Sequence, residues 1–142
     1  MRIFTDSSFH EKEKVAGVGL VVCKGERRDL ISNYVRCESN NEGELYAVYL
    51  ACILSGGEKC EIITDSQVAI QYITKGVADK PRTREQYIRH KRCEYWSYKI
   101  RIFKNISFTK VKAHTGYYQK NSIHNTMSDI LAKDGLSKYL SR

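Results

Sequence analysis

The chain has 142 residues and a formal net charge of +8 at pH 7, and 42% of its residues are hydrophobic. This length and composition predict one domain, residues 1–142, with a buried core. The positive charge indicates an anionic partner, of which nucleic acid is the commonest large one; a basic surface that is only solvated is the alternative. The sequence has no long apolar run, so neither a signal peptide nor a membrane span is expected.

The cysteines are scattered along the chain and include no Cys-x-x-Cys pair. They are Cys23, Cys37, Cys52, Cys60 and Cys93. This pattern argues against a disulfide framework and against a zinc knuckle. We therefore expect free thiols in a cytoplasmic protein, with Cys52 and Cys60 in the core.

The N-terminal part of the chain alternates apolar runs with short charged turns. Strands are predicted over residues 1–5, 15–23 and 30–36. Short polar turns of this kind join antiparallel neighbours. The first three strands are therefore predicted to form an antiparallel meander.

After residue 41 the apolar residues change to a helical period. One stripe holds Leu45, Val48, Tyr49, Cys52 and Ile53. A helix is predicted over residues 42–54, with Asn40 and Asn41 as its cap and residues 55–57 as its end. A buried strand over 60–64 and a short helix over 66–74 follow, and Ser66 is predicted to cap that helix.

The C-terminal part adds two helices and one strand. A long helix, or two with a break, is predicted over residues 84–103, with one side formed by Ile88, Tyr95, Tyr98 and Ile102. A fifth strand is predicted over 106–112, and a last helix over 125–133 with Gly135 as its stop. Its inward face is predicted to hold Met127, Ile130 and Leu131. Right-handed crossovers would make the first, fourth and fifth strands parallel, which predicts an α/β fold with a five-stranded mixed sheet flanked by helices.

Two of the predicted strands run into the same three residues, Thr-Asp-Ser, at Asp6 and at Asp65. Open α/β sheets bind their ligands at the carboxyl ends of strands. If the two strands are neighbours, Asp6 and Asp65 face one crevice. Adjacent carboxylates repel each other unless a cation lies between them, so the sequence predicts a divalent metal site.

Two further acids, Glu44 and Asp129, complete a candidate cluster. Each acid alone has an ordinary structural explanation, as a cap, a helix-dipole partner or a solvated helix position. The argument for chemistry comes from the set: Asp6, Glu44, Asp65 and Asp129. His114, in the loop after the fifth strand, is either a plain surface residue or a proton relay at the mouth of the crevice.

Five blocks of the chain, in the right order, resemble ribonuclease H of type 1, the family that cuts the RNA strand of RNA/DNA hybrids. The blocks cover residues 4–6, 40–45, 64–67, 111–116 and 125–132. The resemblance implies a ribonuclease H-like fold over nearly the whole chain. It also implies that the family's four catalytic carboxylates are Asp6, Glu44, Asp65 and Asp129 in this chain. The family's loop histidine corresponds to His114.

The resemblance implies phosphodiester hydrolysis with two Mg²⁺ ions, for which Mn²⁺ substitutes, leaving 5′-phosphate and 3′-hydroxyl ends. By analogy Asp6 bridges both ions. Glu44 and Asp65 complete the site of one ion, and Asp129 completes the site of the other.

The family's substrate-binding positions also have counterparts in this chain. The resemblance implies that Asn40, Asn41 and Gln67 read the minor groove of the hybrid, including its 2′-hydroxyl groups. Ser39 matches a position that grips a phosphate of the DNA strand. The alternative for either asparagine is a helix cap.

Residues 80–104 contain nine Lys or Arg and two Glu, with aromatic residues interleaved. The segment resembles the family's basic protrusion, which neutralises DNA phosphates without sequence preference; a solvated helix is the alternative. Two other functions stay open: a catalytically silent nucleic-acid-binding module with this fold, and the ribonuclease H domain of a mobile element. No obligate protein partner is expected, and the protein is predicted to be a monomer.

Overall fold

The computed structural model describes residues 1–76, 80–111 and 122–142. In chain order the elements are β1 (Arg2–His10), β2 (Val15–Lys24), β3 (Arg27–Arg36), α1 (Asn40–Leu54), β4 (Cys60–Thr64), α2 (Gln67–Thr74), α3 (Arg84–Arg101), β5 (Ile106–Lys110) and α4 (Ser122–Leu140). The strands form one sheet in the order β3-β2-β1-β4-β5. β1, β2 and β3 pair antiparallel, whereas β4 is parallel to β1 and β5 is parallel to β4. The predicted mixed sheet is confirmed.

The two faces of the sheet bury two separate apolar clusters, because successive side chains of a strand point to opposite faces. Ile3 and Ile62 belong to the cluster under α1, α2 and α3. Phe4 and Ile63 belong to the cluster under α4. Strands β1 and β4 are therefore covered on both sides, and their adjacent apolar residues are fully buried on opposite faces.

Helix α4 packs on the sheet through its backbone. A Cβ atom on Gly17 or Gly19 of β2 would lie 1.9 Å or 2.2 Å from a carbonyl oxygen of α4. On the helix side, a Cβ atom on Gly135 would lie 2.0 Å from the carbonyl oxygen of Asn33 in β3. These three glycines, here called the glycine seat, let the helix lie closer to the strands than any side chain would allow.

The predicted end of the last helix at Gly135 is wrong, because α4 continues to Leu140. Gly135 serves close packing against β3 and is not a C-cap. The inward face of this helix is also only partly as predicted. Met127 and Leu131 pack against the Phe4 cluster, whereas Ile130 is 53% exposed.

Strand β1 is longer than predicted. It continues past residue 5 to His10, because β2 is long enough to pair with it over its whole length. Asp6 therefore lies inside a strand, opposite Gly19, and not at a strand end. At the other edge of the sheet, β5 ends at Lys110 instead of residue 112.

Helix α1 begins earlier than predicted and is capped by a different residue. The hydroxyl of Ser39 accepts a hydrogen bond from the Glu42 N–H at 3.2 Å, which makes Ser39 the N-cap. Asn40 and Asn41 are the first two residues of the helix, so the prediction that they form the cap is wrong. Ser66 caps α2 as predicted, through a 3.1 Å bond from the Ala69 N–H.

Helix α3 is continuous, without the break that the sequence left open. The residues predicted to share one side of it are between 39% and 70% exposed, so they do not form its buried side: Ile88, Tyr95, Tyr98 and Ile102. The buried residues are Cys93, Ser97 and Ile100. Short side chains at 93 and 97 let α3 approach its neighbours closely, so hydrophobicity alone did not indicate its inner face.

The cysteines agree with expectation. All five are free and buried, and Cys52 and Cys60 lie in the larger core cluster. Among the described residues no helix combines the length and apolarity that crossing a bilayer requires.

Candidate active site

Four acidic side chains from four different elements line one cleft of about 370 Å³, here called the acidic cleft. Asp6 comes from the middle of β1, Asp65 directly follows β4, Glu44 lies in α1 and Asp129 lies in α4. The parallel pairing of β1 with β4 brings the two aspartates to the same region of the sheet. The prediction that the four acids come together is confirmed.

Three of these carboxylates are close enough to share an ion. One ligand oxygen each of Asp6, Glu44 and Asp65 lies within 4.8 Å of the others. Asp129 lines the same cleft, and its Oδ2 atom is 3.2 Å from Lys133 Nζ one turn further along α4. A cluster of carboxylate oxygens suits hard divalent cations such as Mg²⁺ and Mn²⁺.

The electrostatics of the cleft disfavour three bare negative charges. Burial raises the pKa of Asp6 to about 7, and the charges of Asp65 and Asp129 act in the same direction. The Ser7 N–H, which donates to Asp6 Oδ1 at 2.9 Å, lowers the pKa of Asp6 but does not cancel these effects. Burial, followed by the charges of Asp6 and Asp65, raises the pKa of Glu44 well above its ordinary value.

Several polar atoms in the cleft also lack hydrogen-bond partners among the described residues. They are Glu44 Oε2, Ser7 Oγ and Asn125 Oδ1, all buried. A buried acceptor without a donor costs about 1–3 kcal/mol. A divalent cation would satisfy the carboxylate oxygens and reverse their mutual repulsion, so the donor set fits a Mg²⁺ site.

A second cleft, of about 710 Å³, lies between the N-terminus of α1 and helices α2 and α3. Its lining includes the candidate substrate residues Ser39 and Asn41 together with the basic residues Lys80, Arg82 and Arg89. We call it the basic cleft. Asn40 lines the acidic cleft, so the first turn of α1 contributes to both.

Several of the nine basic residues in segment 80–104 already have partners within the protein, including Arg89, which lies 3.7 Å from Glu11. Arg92 Nε lies 2.7 Å and 2.8 Å from the two carboxylate oxygens of Glu42. Arg101 donates to backbone carbonyls at the end of α2, at 2.6 Å and 2.9 Å. Lys99 Nζ lies within 5.4 Å of the ring centroids of three aromatic residues. These contacts reduce the number of basic side chains that are available to bind nucleic acid.

The remaining candidate residues have different outcomes. Gln67 is exposed as the first residue of α2, next to the Ser66 cap that lines the acidic cleft. His114 lies outside the described residues, and its role stays a prediction. The sequence reasoning missed Asn125 and Thr126 as lining residues. Their positions four and three residues before Asp129 on a helix would have indicated a shared face.

Comparison with known proteins identifies the family. The RNase H family description matches residues 1–137. This chain belongs to the ribonuclease H family. A ribonuclease H from Desulforamulus reducens is 30% identical to it over 125 residues, which cover 81% of this chain and 77% of that protein.

Solved structures share the fold of this ribonuclease H. A ribonuclease H1 from the halophilic archaeon Halobacterium salinarum has a TM-score of 0.66 at 19% identity, with 96% of this chain and 97% of that chain covered. A ribonuclease H1 isolated from compost by a metagenomic approach has a TM-score of 0.68 at 19% identity, with coverage of 98% and 96%. Family membership and fold support a nuclease with ribonuclease H activity on RNA/DNA hybrids.

Proposed function

We propose that this protein is a metal-dependent endoribonuclease that cleaves the RNA strand of RNA/DNA hybrids and leaves 5′-phosphate and 3′-hydroxyl ends. The observation that carries the proposal is the approach of the Asp6, Glu44 and Asp65 carboxylates to within 4.8 Å of one another in a member of this family. The proposed cofactor is a pair of Mg²⁺ ions, for which Mn²⁺ substitutes.

In this proposal the chain's own residues hold and orient the reacting groups. Asp6 would help to hold both ions, since its carboxyl lies beside both Asp65 and Asp129, whose charges raise its pKa. The Ser7 N–H fixes the orientation of the Asp6 carboxylate through Oδ1. When bound, the metal ions supply Lewis-acid stabilisation of the phosphate and lower the pKa of the attacking water. Asp129 lines the cleft from α4, and by analogy with the family we assign it to the ion that would activate the attacking water.

The two clefts suggest how a hybrid would lie on the protein. The RNA strand would pass over the acidic cleft, and the DNA strand would meet Lys80, Arg82 and Arg89 in the basic cleft. Asn40 and Asn41 lie between the two strands in this arrangement, which suits contacts in the minor groove. Gln67 is assigned to the same groove, and Ser39 to a DNA phosphate.

One cleavage assay tests the proposal. The protein is incubated with an end-labelled RNA/DNA hybrid, the matching RNA duplex and the matching DNA duplex, in Mg²⁺, Mn²⁺ or EDTA. We expect cleavage of the RNA strand of the hybrid alone, its loss in EDTA, and its loss in Asp65→Asn. Cleavage that survives Asp65→Asn would contradict the metal assignment.

Other outcomes of this assay separate the alternatives. Binding of the hybrid without cleavage in either metal would instead identify a catalytically silent module. His114→Ala is expected to lower the rate without abolishing it, and an unchanged rate would remove the histidine from the mechanism. A cytoplasmic, monomeric protein remains part of the proposal, and its five free, buried cysteines are consistent with a reducing compartment.

A further inference from the structure

Glu42 is a buried acid in the first turn of α1, between the candidate groove reader Asn41 and the acidic-cleft residue Glu44. Its side chain is 1% exposed. An acidic residue in the first turn of a helix ordinarily stays in water, where it interacts with the helix dipole. The burial of this carboxylate therefore requires specific partners.

The partners of the Glu42 side chain come from helix α3 and from the segment before α1. Oε1 accepts hydrogen bonds from the Glu38 N–H at 2.8 Å and from Arg92 Nε at 2.7 Å. Oε2 accepts from Arg92 Nε at 2.8 Å and from Trp96 Nε1 at 2.9 Å. We call Glu42 and these partners the Glu42 clamp. Because Arg92 and Trp96 are one turn apart on α3, the clamp fixes both the position and the rotation of that helix.

The basic cleft lies beside this clamp. One of its walls carries Ser39 and Asn41 from the start of α1, and another carries Arg89, His90 and Cys93 from α3. Cys93 is adjacent in the chain to Arg92, and Ser39 caps the helix turn that contains Glu42. The contacts of Glu42 with α3 therefore set the distance between the two walls of the basic cleft.

Stability alone is a weak reason for such a clamp. Replacing a buried ion pair with well-packed apolar residues of similar volume is often neutral for stability, and here the Arg92 side chain is itself 45% exposed. Here the joined groups belong to the two walls that are proposed to hold the DNA strand.

We propose that Glu42 is a positioning residue for substrate. It sets the distance between the start of α1 and the basic residues of α3, and thereby the register of the hybrid on the acidic cleft. The inference rests on the proposed function. It assigns Glu42 no contact with the hybrid or with the metal ions.

The variant Glu42→Gln tests the proposal because it keeps the shape of the side chain and removes its charge. The amide group also places a donor where the Glu38 N–H or the Trp96 indole needs an acceptor. We expect the KM for the hybrid to rise about ten-fold, with kcat and the Mg²⁺ concentration for half-maximal rate changed less than about two-fold. Simple electrostatics predicts a decrease in KM, because the loss of a negative charge near a phosphate site tightens anion binding.

The control variant is Ile100→Ala, which destabilises the packing of α3 without touching the clamp. Ile100 is 2% exposed in the core cluster below α3. A second clamp variant, Glu42→Asp, keeps the charge but shortens the side chain, and we expect it to recover part of the KM. It replaces Glu42→Gln if that variant fails to fold, with an expected KM between wild type and the ten-fold increase.

Trp96 supplies a readout that does not depend on activity, because it is the single tryptophan of the chain and its indole N–H donates to Glu42. Its fluorescence emission should shift to the red in Glu42→Gln, and less in Glu42→Asp. A KM increase no larger than that of Ile100→Ala, or a loss confined to kcat, would overturn the positioning role. If the wild type cleaves no hybrid, the proposed function fails by itself. In that case the positioning role is tested by hybrid affinity and Trp96 emission. A loss of affinity and a red shift that are larger in Glu42→Gln than in Ile100→Ala would support it, and equal changes in the two variants would overturn it.

Discussion

The acidic and basic clefts share the first turn of α1 but are built in different ways. Asp6 and Glu44 are 6% and 5% exposed and belong to elements that pack in the core. Lys80 and Arg82 are exposed and belong to the segment before α3, while Arg89 is half-buried on α3 itself. Burial raises the pKa values of Asp6 and Glu44 in the acidic cleft, whereas the charges of the basic cleft lie at the surface beside one buried clamp.

The difference follows from what each cleft is proposed to do. Ligands of a metal ion need positions defined to a fraction of an ångström, so they are placed on packed strands and helices despite the cost of burying charge. Neutralisation of phosphates tolerates loose geometry, because the interaction is long-ranged and not directional. For the basic cleft, the distance from the acidic cleft is what has to be well defined, and the Glu42 clamp lies between the two clefts.

The largest expected effect is the loss of cleavage in Asp6→Asn. The substitution removes the carboxylate at the centre of the acidic cleft and leaves the basic cleft intact. We expect the single-turnover rate to fall at least about 1000-fold. Hybrid affinity, measured by fluorescence anisotropy in EDTA, should be unchanged or tighter, because one negative charge is lost. Parallel losses of rate and affinity would show that the two clefts are not separable.

A smaller effect is expected from removing charge in the basic cleft with Arg82→Ala and Arg89→Ala together. Hybrid affinity at moderate salt should fall about ten-fold or more, and the slope of log K against log salt should decrease by about 2. The kcat should change little, since the acidic cleft is untouched. The matched control is Arg27→Ala with Arg28→Ala, which removes the same charge at the start of β3. An equal loss of affinity in the control would mean that the total charge, and not this cleft, binds the hybrid.

The third and smallest effect is on stability and depends on pH. The ordinary pKa of an aspartate is 3.8, and that of Asp6 in the folded protein is about 7. Between these values Asp6 keeps a proton in the folded protein that it releases in the unfolded chain, so without metal the contribution of Asp6 to the free energy of unfolding decreases as the pH rises from about 4 to about 7. Mg²⁺ should reverse this decrease, and we expect it to raise the Tm by about 5 °C or more at pH 8 and much less at pH 5.

The same thermal melts in Asp6→Asn serve as the control for this prediction. The pH dependence without metal should become shallower, because the carboxylate that binds the extra proton is gone. A metal-free Tm of the wild type that increases relative to that of Asp6→Asn between pH 4 and pH 7 would contradict the assigned direction of the pKa shift.

The parts of the molecule that the sequence predicts correctly have local signals. The buried apolar strand, Asp65 and the capping serine can be recognised within seven consecutive residues. The order of the strands follows from the short turns and the right-handed crossovers. The four carboxylates could be placed in one cleft because two of them follow similar strands. Asp6 was nevertheless expected at a strand end, since the length of its partner β2 is not a local property.

The parts that the sequence did not predict depend on close contacts between distant residues. A glycine such as Gly135 is typical of the end of a helix. Its position inside α4 is explained only by its close approach to the backbone of Asn33. The inner face of α3 holds Cys93 and Ser97, which no hydrophobic pattern selects. Glu42 is part of a Ser-x-x-Glu capping motif that begins at Ser39, a legible signal, but its contacts with α3 involve residues about 50 positions away.

The glycine seat has a consequence for how this protein tolerates sequence change. Where a helix rests on side chains, each substitution in the core raises or lowers it by a fraction of an ångström. Helix α4 instead rests on main-chain atoms at Gly17, Gly19 and Gly135, whose dimensions are the same in every protein. Asp129 belongs to this helix, so the distance of its backbone from β2 is set by these main-chain contacts. We therefore expect changes in the volume of core side chains to move Asp129 less than they would move a residue on a helix packed only through side chains.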